Sequence, residues 1–338
     1  MEYNETTLGC KIEEVLAQCL DHAAPREMLR TRRATQTLLS HVEICLPDLS
    51  VGALDRNGAT LLHLAACFSQ TEIAQSLLER RGDVVAEHQK FGTPLHLSAE
   101  QGHVEMVQLL LDHHAAVDNG LARSRATPLQ AASAQGHAEV VCLLLASRAC
   151  VDSANLAGAC SLHAAAANGH AQVVRELIAA NADIHGCSGH AISPLYFSIH
   201  HGHMEIARLL IDGRADVHMT DAAGRSPLFA AVREGHVGVM RVLLDSGVSI
   251  DSVGEDGITP LHIAAERGHA DLLQVLIETR ADAHIKTDDG LSALHLGILA
   301  GHRAAVERLV NLGFSKSTQA VELARCAGYE TLVDILKP

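Results

Sequence analysis

A leucine returns eight times in the same local setting, at Leu62, Leu95, Leu129, Leu162, Leu195, Leu228, Leu261 and Leu294, with intervals of 33, 34 and then 33 five times over. A fixed period of this size marks a supersecondary unit that cannot bury its apolar face alone and stacks on copies of itself. The 338 residues therefore count repeats rather than ordinary domains. Hydrophobic residues make up 48% of the chain but aromatics only 2%, with no Trp, which suits close-packed helices built from small and unbranched side chains.

The copy that begins at Asp256 shows why one unit folds. Thr259 suits a helix N-cap and Pro260 the first helical position, where no backbone donor is lost. Leu261, Ala264 and Ala265 share one side at helical spacing, and the alanines let a neighbouring helix come close. Gly268 ends this inner helix through its access to positive φ, and a second helix carries Leu272, Leu273, Val275, Leu276 and Ile277. A polar stretch from Glu278 to Lys286, with Asp289-Gly290 at its tip, returns the chain to the next start.

Thr-Pro-Leu-His, Ala-Ala, Gly-His, an apolar helix and an Ala-Asp-Val ending together resemble the ankyrin repeat. The pattern recurs in register at Thr93-Pro94-Leu95-His96 with Gly102-His103, Thr127-Pro128-Leu129 with Gly136-His137, and Ser161-Leu162-His163 with Gly169-His170. It continues at Ser193-Pro194-Leu195 with Gly202-His203, Ser226-Pro227-Leu228 with Gly235-His236, and Ala293-Leu294-His295 with Gly301-His302. The resemblance runs from about Asp55 to Gly313. It implies an all-α ankyrin-repeat solenoid of stacked helix-turn-helix units joined by β-hairpin-like loops, with eight repeats over residues 53–314. Residues 315–338 read as a degenerate capping repeat. Residues 1–52, with amphipathic segments at Ile12-Val15-Leu16-Cys19-Leu20 and Leu38-Leu39-Val42-Ile44-Leu46, read as an N-terminal helical cap or a separate small segment.

Four departures carry structural expectations. Ser69-Gln70 replaces Gly-His in the first copy, which points to a looser helix-helix turn. Phe91 and Ala191 stand in the tip-glycine slot of the second and fifth copies, so those tips should be shaped differently. Arg125 fills that slot in the third, where one extra residue suggests a bulge near Asn119-Gly120.

The net charge of -14 argues against nucleic-acid binding, which depends on clustered Lys and Arg. The one basic cluster, Arg26, Arg30, Arg32 and Arg33, reads as a solvated face or a contact for an acidic partner. No run of about 18 apolar residues occurs and Met1–Thr7 lacks a signal-peptide pattern, so membrane insertion is not expected and a cytoplasmic or nuclear setting is. Nine cysteines without Cys-x-x-Cys read as reduced thiols, and the sequon at Asn4 has no consequence without secretion.

Twelve of the 23 histidines fall in two repeat slots: His63, His96, His163, His262 and His295 after the core leucine, and His103, His137, His170, His203, His236, His269 and His302 after the glycine. Recurrence with the fold makes these structural. His190, His200, His201 and His203 with Cys187 are the densest remainder and carry the alternative of a zinc site. Asp112-His113-His114 reads as a solvated helix end. No phosphate loop, nucleophile elbow or His-Glu-x-x-His motif occurs, so no catalytic residue, metal or cofactor is expected. Asparagine at the end of the Ala-Asp-Val segment would resemble a hydroxylase substrate, but that slot holds Asp118, Asp152, His185, His218, Asp251 and His284.

The resemblance places binding on a concave surface of hairpin tips and the exposed side of the inner helices. Slots not dictated by packing supply Arg56, Phe68, Lys90, Arg123, Ile192, His200, His201, Arg225 and Arg233, then Glu255, Asp256, Ile258, Arg267, Asp288, Asp289 and Leu291. The tips are basic early (Arg56, Lys90, Arg123, Arg225) and acidic late (Glu255, Asp256, Asp288, Asp289), a polarity that would orient an extended partner, although the same charges also suit plainly solvated tips. The reading is a monomeric, non-catalytic protein-interaction scaffold or adaptor. One alternative is a substrate-recognition subunit of a larger enzyme system, such as a ubiquitin ligase adaptor or kinase regulatory subunit, with a recruiting motif in residues 1–52. The other is the histidine-based metal-binding protein.

Overall fold

The computed structural model describes residues 58–186, 193–220 and 225–337, apart from the side chain of Glu255. The N-terminal segment 1–52, and with it the proposed cap, lies outside the described residues. The described helices come in hairpins: α1 (Leu61–Cys67) and α2 (Thr71–Glu79), α3 (Pro94–Gln101) and α4 (Val104–Asp112), α5 (Pro128–Gln135) and α6 (Ala138–Ala146), α7 (Ser161–Asn168) and α8 (Ala171–Ala179). They continue as α9 (Pro194–His200) and α10 (Met204–Asp212), α11 (Pro227–Arg233) and α12 (Val237–Asp245), α13 (Pro260–Glu266) and α14 (Ala270–Glu278), α15 (Ala293–Leu299) and α16 (Arg303–Asn311), and α17 (Thr318–Cys326) and α18 (Glu330–Leu336).

Odd-numbered inner helices begin at residues whose side chains satisfy orphan N–H groups. Thr127 Oγ1 accepts from Gln130 N at 3.3 Å, and Ser193 and Ser226 Oγ accept from Tyr196 and Phe229 N at 3.2 Å. Proline opens α3, α5, α9, α11 and α13. These helices are short and Ala/Leu-rich, with Leu95, Leu129, Leu162, Leu228 and Ala264 fully buried. Burial of the recurring leucines and alanines is the main stabilising contribution of each copy.

The chain groups into two compact units, Met1–His190 and Ala191–Pro338. In the first, the inner helices α1, α3, α5 and α7 stack in order, as do the outer helices α2, α4, α6 and α8. In the second, α9, α11, α13, α15 and α17 form the inner row and α10, α12, α14, α16 and α18 the outer row. The last hairpin packs on the eighth through α15 and α16, so residues from Thr318 onward continue the stack. The five described cysteines are free thiols, and no helix among the described residues is long and apolar enough to cross a membrane.

The expected departures resolve individually. The turn at Ser69-Gln70 is not loosened: Ser69 takes φ 56°, and Gln70 N bonds Ala65 O at 2.9 Å just as His103 N bonds Ser98 O at 2.9 Å. A left-handed serine accepts the conformation that glycine holds in the other copies. The second tip does differ. Positive φ moves one residue on, to Gly92 (71°), and Phe91 is buried against His88 with rings stacked 4.5 Å apart. Ala191 lies outside the described residues. The extra residue of the third copy is absorbed in the tip rather than near Asn119-Gly120: Leu121 N bonds Ala126 O at 2.9 Å, a span one residue longer than Asn155 to Ala159 or Thr287 to Leu291.

A further regularity lies one residue beyond the C-cap of the outer helices α2 to α16. Arg81, His114, Arg148, Asn181, Arg214, Gly247, Arg280 and Gly313 all have positive φ. Four arginines hold a conformation that costs an L-residue about 1–2 kcal/mol, so the surrounding turn over-determines it.

Candidate functional site

The histidine after the core leucine bridges two repeats. Its Nδ1 accepts the backbone N–H of the cap residue, at 3.1 Å in Thr60 and Thr93 and 3.2 Å in Cys160, Thr259 and Ser292. Nε2 then donates into the following tip, from His63 to Gly92 O at 2.9 Å and from His96 to Ala126 O at 3.1 Å. Acceptance at Nδ1 and donation at Nε2 require the neutral ring. Burial accordingly pushes the His96 imidazole down to about 4, and lowers those of His262 and His295. Gln130 reproduces the pattern without a ring: Oε1 accepts from Thr127 N at 3.2 Å, and Nε2 donates to Ser153 O at 2.6 Å and Ala159 O at 3.0 Å. The slot asks for one acceptor and one donor, not imidazole chemistry. Nε2 of His262 and of His295 has no hydrogen-bond partner, so this half of the bridge is not made in the seventh and eighth repeats. After the eighth repeat the connection to the next inner helix is residues 312–317, against 279–292 one repeat earlier, too short to form a tip.

The histidine after the glycine reaches the other way. His103, His137, His170, His236 and His269 donate from Nε2 to Cys67, Glu100, Ala134, His200 and Arg233 O at 2.9–3.1 Å, each in the preceding repeat. The rings occupy space that the preceding glycine leaves open. A Cβ on Gly268 would fall 2.7 Å from His302 Cγ, and one on Gly301 would fall 2.6 Å from Cζ of Tyr329, which takes the histidine's place in the last hairpin.

The denser histidines lie at the end of α9. His200 and His201 are exposed with ring centroids 5.0 Å apart, and the His201 and His203 rings are 6.1 Å apart. Burial, followed by the nearby His200, His203 and His236, lowers the His201 pKa. Among the described residues no group of three or more His, Cys, Asp and Glu side chains is arranged to hold a metal ion. His190 and Cys187 lie outside the described residues.

With these groups engaged, the exposed variable side chains remain. In the first unit, Phe68 is the half-buried C-cap of α1, while Lys90 and Arg123 project from the second and third tips. In the second unit, His200 and His201 end α9, Arg233 pairs with Glu234 at 2.9 Å at the end of α11, and Arg267 is the exposed C-cap of α13. Its last two tips touch: Asp288 N donates to Asp256 O at 3.0 Å, which brings Asp256, Asp288 and Asp289 together. Ile258 and Leu291 close these tips through their carbonyls, at 2.8 and 2.9 Å, and their side chains are half-buried, as is Arg225. Arg56, Ile192 and the Glu255 side chain lie outside the described residues.

Two further exposed tip residues stand out: Arg125, and Leu156, which the sequence places in a slot not dictated by packing. Arg125 reads in the sequence as a tip-glycine replacement, yet it is exposed with φ 55°. Leu156 is 64% exposed, more than any other large apolar side chain among the described residues. The signal for Leu156 is an apolar residue in a slot that holds Arg123 or Asp288 in other tips.

A comparison with curated proteins returned no match. Family models do match: the ankyrin-repeat model in three copies over residues 83–155, 162–254 and 246–320, and a single ankyrin repeat over residues 57–88. These matches cover most of the chain and coincide with the capped hairpins and histidine bridges described above; the chain belongs to the ankyrin-repeat family.

Proposed function

We propose that this protein is a non-catalytic interaction scaffold or adaptor that holds partner proteins on its hairpin tips and inner-helix ends. Ankyrin repeats generally mediate protein–protein contact, and within the family they are typically not enzymes. The observation that carries the reading is the division of labour among polar groups. Those that recur with the repeat are taken up in capping and inter-repeat hydrogen bonds, as at His96, His137 and Gln130. Those that do not recur, such as Lys90, Arg123, Arg267, Asp256 and Asp289, face solvent on the tips and helix ends. Charges so placed favour fast, oriented encounter with a complementary partner. Free thiols are consistent with a reducing cytoplasmic or nuclear setting.

The test is recovery of partners by the full-length chain and by a variant with Arg56, Lys90, Arg123, Glu255 and Asp256 reversed in charge. Loss of specific partners from the folded variant is expected. Unchanged recovery would remove the charged tips from the account.

A further inference from the structure

We propose that the second, third and fourth tips of the first unit, residues 88–92, 121–126 and 155–159, form one docking surface for an acidic peptide segment that carries a large apolar side chain. The proposal rests on the interaction reading above and gives this surface a partner chemistry.

The three tips are fixed against each other. Leu121 Cδ2 occupies the space that a Cβ on Gly92 would take, which seats the second tip on the third. Leu156 N donates to Ser124 O at 2.8 Å, which ties the third tip to the fourth. Each tip is also held internally. His88 Nδ1 accepts from both Lys90 N and Phe91 N at 3.2 Å, and Arg125 N bonds Leu121 O at 2.7 Å.

The charge on this surface is of one sign. Lys90, Arg123 and Arg125 are exposed, the three tips contain no Asp or Glu, and none of the three cations has an ion pair among the described residues. Lys90 Nζ lies 5.2 Å from the centroid of Phe91, whose ring is held by stacking on His88. The one carboxylate adjoining these tips, Glu87, keeps its charge but is held to Asn119, whose Nδ2 donates to Glu87 Oε1 at 2.6 Å, and it pairs with none of the three cations. Physiological salt screens exposed charges beyond about 8 Å, so a partner at this surface meets the local cations rather than the net charge of -14 of the chain.

Leu156 stands beside the cations, bonded through its backbone to Ser124, between Arg123 and Arg125. Because the tips are already ordered, covering this 64%-exposed side chain needs little reorganisation. An apolar partner residue on Leu156 would slow dissociation, while carboxylates opposite Lys90, Arg123 and Arg125 would speed association. The surface suits peptide better than nucleic acid. Three cations make a small phosphate-binding set, and the aromatic rings in these tips, His88 and Phe91, are buried against each other and unavailable for base stacking.

The test is panning a random twelve-residue peptide library on the immobilised full-length chain, with Lys90→Glu/Arg123→Glu, Leu156→Asp and, as a control on an exposed outer-helix position of the second unit, Asp271→Lys. Circular dichroism verifies that each variant is folded. A fluorescein-labelled copy of the most enriched peptide and a single-stranded RNA twelve-mer are then titrated. Expected are peptides rich in Asp and Glu around a Leu, Ile or Phe, at least tenfold weaker binding to each tip variant, affinity that falls with salt, and no effect of Asp271→Lys. Enrichment of basic peptides, preference for the RNA, or binding indifferent to both tip variants would overturn the proposal while leaving the interaction reading standing. Absence of any enriched peptide, with partner recovery from cell extract intact, would likewise overturn this proposal alone. Absence of both would overturn the two together.

Discussion

Adding one methyl group at Gly268 and at Gly247 separates the two reasons a glycine can be needed here. Both have positive φ, +77° and +86°, but a Cβ on Gly268 meets His302 Cγ at 2.7 Å, while one on Gly247 meets nothing within 4 Å. Gly247→Ala therefore carries backbone strain alone. The left-handed penalty is about 1–2 kcal/mol, and the stiffer unfolded chain returns about 0.4–1 kcal/mol, for a net loss near 1 kcal/mol. Gly268→Ala carries the same strain and must also displace the ring by close to an ångström, since ordinary contact begins near 3.4 Å. Overpacking of this kind adds about 1–3 kcal/mol, for a total of about 2–4 kcal/mol. Both positions lie in the second unit, so urea denaturation of the full chain followed by circular dichroism compares them within the same stack. Made in the His302→Ala background, Gly268→Ala should cost no more than Gly247→Ala, because the ring that the methyl strikes is gone. Equal losses for the two alanine variants, or an undiminished loss in the His302→Ala background, would refute the idea that the glycine makes room for the histidine of the next repeat.

Other perturbations test different layers of the account. Leu228→Ala, at a fully buried inner-helix position, should cost about 2–5 kcal/mol by chemical denaturation; a loss under about 1 kcal/mol would contradict its place in the core. His96 has a folded pKa of about 4 against an ordinary 6.5. The unfolded state therefore binds the proton first, and its contribution to stability is complete above pH 6.5 and lost as the pH falls toward 4, by about 3 kcal/mol. His96→Gln, which keeps the acceptor and donor as Gln130 does, should flatten that part of the pH–stability curve, and an unchanged curve would count against the neutral bridge. Arg148→Gly should stabilise by about 0.5–1 kcal/mol by relieving φ 65°, readable as a higher denaturation midpoint; a destabilised variant would show that the arginine side chain matters more than its backbone.

The fold was largely legible in the sequence because its determinants are local. Thr127-Pro128 announces a capped helix, the Leu/Ala spacing its buried face, and Gly136-His137 its end. What recurrence could not show is the partner of each recurring group. That His96 reaches Ala126 O, or that His137 sits over Gly102, depends on where the adjacent repeat stacks. The left-handed slot at Arg81, Arg148, Arg214 and Arg280 was hidden because arginine does not ordinarily signal positive φ. For the same reason Ser69 suggested a loosened turn that the backbone hydrogen bonds do not allow.

The surface was less legible. Charges such as Lys90, Arg123 and Asp289 could be assigned to tips from register alone, and they are exposed there. The neighbourhood of Leu156, Arg123 and Arg125 could not, because it depends on the bond from Leu156 N to Ser124 O between tips 32 residues apart. Ile258 and Leu291, in turn, close their own tips, a use of the backbone that their side chains do not reveal.

The central claim is that recurring residues hold the stack and non-recurring tip residues bind partners. Hydrogen exchange of the full chain, free and saturated with a recovered partner, tests it most directly. The account predicts added protection in tip segments such as 88–92, 121–126 and 155–159, in 254–258 and 287–291, or at the inner-helix ends, with the outer helices unchanged. Protection confined to the outer faces of α4, α6, α12 or α14, with tip amides exchanging as in the free chain, would contradict it.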